Sequence, residues 1–275
     1  MRSDGRILVT GGTGTLGSLV VSRLRDAGRD VRVLSRRRRE DAQRVEFAAG
    51  DLTTGQGIEA AVSGVEVVVH CAGSAKGDEQ MTMNLVREAS AAGVRHLVFI
   101  SVTGADRVPV RTRIDRAMFG YFASKLAAEK VVAGSGLPWT TLRATQFHDL
   151  ILLVSKAMAK LPVIPVPAGF RFQPVDAAEV AARLVEITLG PPSGLVPDLA
   201  GPKVYGAAAL LRAYLRALGK HRLIVPIWIP GPAAGAIRGG ANLALERAVG
   251  GRSWEDFLAD KLAPPPGKSS APVQP

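Results

Sequence analysis

The chain has 275 residues, 47% hydrophobic and 21% charged, with a single cysteine, Cys71. That length supports a core of its own, and a lone cysteine excludes an internal disulfide framework or a cysteine-rich zinc site. Basic residues outnumber acidic ones 35 to 24, giving a net charge of +11, but with only 5% aromatic residues there is little to stack on bases.

The excess is local: residues 1–40 hold 10 basic and 4 acidic groups, and residues 101–125 hold 5 and 2. Two such clusters suggest an anionic small molecule, and no nucleic-acid partner is expected. The longest uncharged runs, Ile7–Ser22 and Leu223–Ile237, are 16 and 15 residues long and are interrupted by glycine. Both fall short of the ~20 apolar residues of a membrane helix, so no membrane partner is expected. A strand pattern starts almost at once and leaves no room for a signal peptide, and a reducing cytoplasm fits the cysteine usage.

Apolar, β-branched runs predict strands at Arg6–Thr10, Val31–Leu34, Val45–Ala48, Val65–Cys71, Leu97–Val102 and Thr140–Leu142. Helices are predicted between them at Gly14–Ala27, Gly57–Ser63, Glu79–Ala92 and Arg116–Ala133, with Gly28 and Gly93 where C-caps belong. Val65–Cys71 is nearly continuous in apolar residues, as in a parallel strand covered on both faces. The fold class is α/β, a doubly wound parallel sheet.

After Ala144 the rhythm changes. Helices are predicted over Val175–Leu189, opened by Asp176, and over Lys203–Leu218, Arg238–Val249 and Trp254–Leu262. The apolar segments Leu161–Phe170 and Leu223–Ile229 could wall a substrate or be core, and core is preferred. Ala263–Pro275 is rich in Pro, Ser, Gly and Lys and reads as a disordered tail.

Residues 10–17 read Thr-Gly-Gly-Thr-Gly-Thr-Leu-Gly between the first strand and the first helix. Gly11, Gly14 and Gly17 supply a tight turn, close approach of backbone to a pyrophosphate and close helix–strand packing. The helix N-terminus offers free N–H groups to the phosphates. Gly11, Thr13, Gly14, Thr15, Leu16 and Gly17 are therefore candidate dinucleotide contacts. The second strand ends in Arg36–Arg39 where an NAD enzyme carries an acid for the ribose hydroxyl. A guanidinium grips a 2′-phosphate instead, which selects Arg36 and NADP(H) over NAD(H). Asp51, followed by Leu52, can accept from the adenine amino group or simply cap a helix. Ala72 and Gly73, at the end of the fourth strand, are small enough for a cofactor to lie against the backbone. His70 and Cys71 lack a partnered ligand set and read as packing residues; no metal site is expected.

Together, T-G-G-T-G-T-L-G, the G-D-L triplet, V-V-H-C-A-G and A-A-G-V-R-H-L-V-F-I-S resemble the short-chain dehydrogenase/reductase superfamily, in particular its atypical and extended branches and the NmrA-like NAD(P)H-binding group. The resemblance is strong over residues 6–145 and weaker to about 262. It implies one Rossmann domain, residues 1–262, with a small C-terminal substrate lobe built mainly from 146–262. It also implies a Y-x-x-x-K pair, matched by Tyr121 and Lys125. Helix positions i and i+4 share a face. A lysine about 4 Å from the phenol would favour tyrosinate by roughly 4 kcal/mol at an effective dielectric of ~20, or ~3 pKa units before desolvation. Tyr121 would be the general acid, Lys125 would tune it and hold the nicotinamide ribose, and Ser101 would polarise the carbonyl, with Thr103 as a substitute. The superfamily's asparagine falls at Asp78, while Asn84 resembles a helix residue of an N-L-V-x-x-A pattern. Phe147 could wall the nicotinamide, and His148 reads as a surface histidine that could otherwise face substrate. The implied function is NADP(H)-dependent reduction of a small carbonyl compound. Alternatives are a non-catalytic NADP(H) redox sensor, or a sugar-nucleotide or isomerase activity on the same scaffold.

Overall fold

The chain first alternates between strand and helix, except that β3 follows β2 directly: β1 (Arg6–Thr10), α1 (Thr15–Asp26), β2 (Val31–Ser35), β3 (Val45–Ala49), α2 (Ile58–Val62), β4 (Val65–His70), α3 (Asp78–Ala91), β5 (His96–Val102), α4 (Arg113–Ala133) and β6 (Trp139–Ala144). It continues as α5 (His148–Met158), β7 (Val163–Pro167), β8 (Arg171–Phe172), α6 (Ala177–Leu189), β9 (Gly194–Leu195), β10 (Tyr205–Gly206), α7 (Ala207–Ala217), β11 (Leu223–Ile227), α8 (Pro232–Arg238) and α9 (Trp254–Leu262). This is a computed structural model, which describes residues 5–37, 39–73 and 77–263.

Among the described residues, a seven-stranded sheet runs β3-β2-β1-β4-β5-β6-β9. All of its pairs are parallel. The chain winds outward from β1 in one direction and restarts at β4 on the other side. That reversal opens a crevice beyond the carboxyl ends of β1 and β4, where ligands bind in such sheets. Alternate residues of β1 feed the two faces. Ile7 and Val9 pack with Val20 and Leu24 of α1 and Val180 and Leu184 of α6. Leu8 packs with Leu85 of α3 and Ala128 and Val132 of α4.

The C-terminal lobe has its own core, in which Ile151 of α5, Ile164 of β7 and Leu211 of α7 meet Trp254 and Phe257 of α9. A smaller cluster of Phe119, Phe170 and Ile237 ties α8 to the N-terminal half of α4.

Three helix expectations change. Helix α4 begins at Arg113, earlier than predicted, because Thr112 and Asp115 form a capping box. The predicted helix over Arg238–Val249 does not form. Helix α8 instead ends at Arg238 before Gly239-Gly240, and Gly240 has φ +89°. Only a 3-10 turn, Leu245–Arg247, follows. The stretch predicted as helix from Lys203 starts at Ala207, since Tyr205–Gly206 pairs antiparallel with β8. Helix α5 was not expected at all. The tail from residue 264 lies outside the described residues.

Candidate active site

One long cleft runs across the switch point. Its two halves, cavities of about 770 and 680 Å³, share Gly11, Gly14, Cys71 and Gly73. Gly11 has φ +68°, and a Cβ there would lie 2.6 Å from the Ala72 nitrogen. A Cβ on Gly17 would lie 2.1 Å from the Gly11 carbonyl oxygen. Both positions therefore need glycine for close backbone packing. A Cβ on Gly14 would make only an ordinary 3.4 Å contact, so that position has room for a methyl group. Helix α1 starts with no side-chain cap and no acid in its first turn, which leaves its N–H groups free for phosphate oxygens.

The nucleotide half of the cleft is lined by Thr13, Asp51, Leu52 and Ala72. Arg36, Arg37 and Arg39 also line it, while Arg38 falls outside the described residues. Asp51 accepts from the Thr53 N–H at 2.8 Å and so shapes its own turn. Asn84 is structural: its amide donates to the Leu52 carbonyl at 2.8 Å and fixes the loop that carries Asp51. These residues fit a dinucleotide, with glycines where backbone must approach it and cations where its anionic end would rest.

The other half brings together Ser101, Tyr121 and Lys125, with Thr15, Leu16 and Gly17 at its floor. Ser101 is 5% exposed, and its hydroxyl has no hydrogen-bond partner among the described residues. Thr103 is fully buried and does not line the cleft, so of the two hydroxyls only Ser101 reaches it. Around them lies an apolar wall that includes Phe122, Phe147, Leu150, Phe170 and Phe172. Phe147 is there as expected. Of the two segments read as core, Leu161–Phe170 contributes Phe170 to this wall and Ile164 to the lobe core.

Lys125 departs from the expected arrangement. Its ammonium is 3.1 Å from the Asp78 carboxylate and donates to the Ile100 carbonyl at 3.2 Å. It also sits 4.9 Å over the Phe99 ring and 5.8 Å from the centre of the Tyr121 ring. Asp78 stands where the resemblance placed an asparagine, and its charge offsets that of the lysine. The expected lowering of the Tyr121 pKa is therefore corrected. Burial, and then the Asp78 charge, push the phenol up to about 12. Tyr121 is 41% exposed, so this burial is that of a cleft wall rather than of a core.

His70 packs as expected, held between the Thr10 hydroxyl at 2.7 Å and the Thr82 hydroxyl at 3.2 Å. Cys71 instead borders both halves of the cleft, and burial pushes its thiol up to about 12, which disfavours the thiolate. His148 is not a surface residue. It is fully buried, with its ring 4.9 Å from that of Phe257 and 5.9 Å from that of Trp254, and neither ring nitrogen has a hydrogen-bond partner. Met118, Ile237 and Asn242 also line the cleft, and no motif marks them. Asn242 was read into a helix; it instead donates to the Arg171 carbonyl at 2.8 Å from the loop after α8.

Several known proteins are similar to this chain. Residues 11–188 match the family pattern described as NAD(P)H-binding. An NAD(P)H azoreductase of Xenophilus azovorans is 29% identical over 220 residues, 78% of this chain and 74% of the relative. A (4-alkanoyl-5-oxo-2,5-dihydrofuran-3-yl)methyl phosphate reductase of Streptomyces griseus is 30% identical over 219 residues, with the same coverage of 78% and 74%. Among solved structures, an NADPH-dependent quinone oxidoreductase of Escherichia coli complexed with NADPH superposes with a TM-score of 0.77. The match covers 93% of this chain and 99% of that one at 19% identity, a likeness of fold. With the glycine turn, the switch-point cleft and these relatives in agreement, the chain belongs to the NAD(P)H-binding family, an atypical short-chain dehydrogenase/reductase group of oxidoreductases.

Proposed function

We propose that the protein is an NADPH-dependent reductase of small, apolar carbonyl-type acceptors, with quinones the first class to test. The observation that carries this is the continuity of the cleft. Its basic nucleotide half runs directly into an apolar half that presents Tyr121, Ser101 and Lys125. The azoreductase and quinone oxidoreductase among the similar proteins support a conjugated acceptor.

Bound NADPH supplies a hydride. Arg36, with Arg37 and Arg39 beside it, meets the 2′-phosphate and favours NADPH over NADH. The α1 N-terminus would hold the pyrophosphate, Asp51 and Leu52 would border the adenine, and Ala72 and Gly73 would leave room for the dinucleotide beside the backbone. The unpartnered Ser101 hydroxyl donates to the acceptor oxygen. Tyr121, whose phenol is kept protonated by burial and by the Asp78 charge, delivers the proton at that oxygen, and Lys125 would bind the ribose hydroxyls from its seat on Asp78. The Phe wall sheds water and selects flat apolar molecules.

The Asp78–Lys125 pair also favours a second reading, a dinucleotide-responsive regulator without turnover, because it withdraws the ammonium from the tyrosine. Single-turnover kinetics with stoichiometric NADPH and a panel of benzo- and naphthoquinones separates the two. Tyr121→Phe should slow hydride transfer by 10²–10⁴-fold and change NADPH affinity by less than ~1 kcal/mol. Wild-type rates in that variant would remove the tyrosine assignment. No NADPH oxidation by the native protein with any acceptor would favour the regulator.

A further inference from the structure

The segment from Arg216 to Trp228 leaves the end of α7 and becomes β11, and all of it except Ile224 is exposed. Its first part is basic. Arg212, Arg216, Lys220, His221 and Arg222 surround a cavity of about 550 Å³ that no acidic residue lines among the described residues. Its second part is apolar. Strands β7 and β11 pair in parallel, with Val163 beside Leu223, Pro165 beside Val225 and Pro167 beside Ile227. Paired residues share a face, and on this one Val163 is 48%, Leu223 64%, Val225 38% and Ile227 42% exposed. On the opposite face Ile164 and Val166 are buried in the lobe core. Trp228, at the end of β11, is 68% exposed, with the Arg238 guanidinium 3.8 Å over its ring. A contiguous apolar face of this kind marks an interaction surface.

We propose that this face docks on an anionic lipid bilayer. Leu223, Val225, Ile227 and Trp228 enter the boundary between headgroups and acyl chains, while the neighbouring basic cavity receives lipid phosphates. Charge selects this occupant. The apolar strands lie beside a cavity lined by Arg212, Arg216, Lys220, His221 and Arg222, which would face its own like charges in a symmetric pairing of two copies, whereas an anionic membrane offers an apolar layer and negative charge side by side. The inference revises the expectation of no membrane partner, which rested on the lack of a spanning segment. Among the described residues no helix is long and apolar enough to cross a membrane, but surface docking requires none. It is independent of the proposed reductase activity. It does place the docking face next to the cleft, since Ile229 packs with Phe170 and Ile237, which both line the cleft.

The test uses the full chain with vesicles of phosphatidylcholine alone and of phosphatidylcholine mixed with phosphatidylglycerol, followed by co-sedimentation and tryptophan emission. Binding should be at least ~10-fold stronger to the anionic vesicles, with a blue shift in emission that Trp228→Phe removes. Arg216→Ala with Arg222→Ala should weaken binding roughly 5-fold for each charge lost. Ile227→Ser with Trp228→Ser should weaken it as well, with circular dichroism unchanged because both side chains are exposed. Arg87→Ala with Arg95→Ala removes equal charge from exposed side chains elsewhere and should have little effect. Absence of binding to anionic vesicles would overturn the proposal. So would an equal loss in the Arg87/Arg95 control, which would mean diffuse charge attraction. A dimer in sedimentation equilibrium that Ile227→Ser with Trp228→Ser dissociates would assign the face to a second copy instead.

Discussion

The two ends of the cleft are built from different materials. At the nucleotide end, strand termini and backbone do the shaping: Gly11 against Ala72, Gly17 against Gly11, and the uncapped start of α1. At the acceptor end, side chains converge from separate elements: Phe122 from α4, Phe147 before α5, Phe172 from β8 and Ile237 from α8. A ligand of invariant shape can be met by backbone, which no single substitution re-sculpts gradually. A wall of side chains can be retuned residue by residue while the sheet stays the same. The comparison implies that damage at the first end is abrupt and damage at the second graded.

The largest effect should come from Gly17→Ala. Its new Cβ would press on the Gly11 carbonyl, and easing that contact moves the phosphate turn itself. We expect a loss of NADPH affinity of ~100-fold or more, alongside the 1–3 kcal/mol destabilisation typical of overpacking. Gly14→Ala has room at 3.4 Å and should leave the melting temperature unchanged. Calorimetric titration and thermal melts of the pair check this; similar behaviour of the two variants would refute the packing argument.

The next effect belongs to the lobe behind Phe147. Burial lowers the His148 pKa from 6.5 to about 4, so the folded protein binds fewer protons there than the unfolded chain. The stabilisation from neutral His148 is complete above the unfolded pKa and is lost as pH falls toward the folded one. At about 1.4 kcal/mol per unit, the protein should lose about 3 kcal/mol between pH 6.5 and 4 from this group. His148→Phe keeps the contacts with Trp254 and Phe257 and removes two unpartnered ring nitrogens. Denaturant melts across this range should show a shallower decline in the variant. Parallel declines would mean that His148 is not responsible. His70, lowered to about 3, leaves a residual slope in both.

The same division governs what was legible in the sequence. Strands β1 to β6 stand out as short β-branched, largely apolar runs such as Val65–His70 and His96–Val102, and the turn from Gly11 to Gly17 stands out because its geometry admits so few residues. Helix α5 does not. Its N-cap, Phe147, makes no side-chain bond, and Leu150–Val154 is continuously apolar, so neither a cap nor a clear period marks it. His148 looks like a surface residue because what buries it, Trp254 and Phe257, arrives only with the last helix. Asp78 could be placed opposite the superfamily's asparagine, but its ion pair with Lys125 depends on α3 packing against α4. That contact is tertiary, and the Asp78 charge it brings adds to burial, the larger cause, in raising the Tyr121 pKa.

Arg36→Ala tests the nucleotide end more gently, since Arg36 is an exposed side chain added to a backbone site. NADPH should bind the native protein at least ~10-fold tighter than NADH, about 1.4 kcal/mol, and the variant should lose most of that difference while keeping its NADH affinity. If Arg37→Ala abolishes the preference and Arg36→Ala does not, the phosphate lies one residue further along.

The smallest effect should be at the acceptor end, from Phe172→Ala. Phe172 lines the cleft from β8, a two-residue strand held by pairing with β10, and is only partly buried. Its loss removes apolar contact with the acceptor without touching the glycine turn, the arginines or Tyr121. Because that contact is present before and during hydride transfer alike, KM for a quinone should rise roughly 5–20-fold with kcat nearly unchanged. NADPH affinity should stay within about 2-fold, since the nucleotide end is independently built. A fall in kcat at constant KM would mean that Phe172 orients the acceptor against the cofactor rather than merely holding it. The acceptor wall would then share the abrupt, geometry-bound character of the nucleotide end.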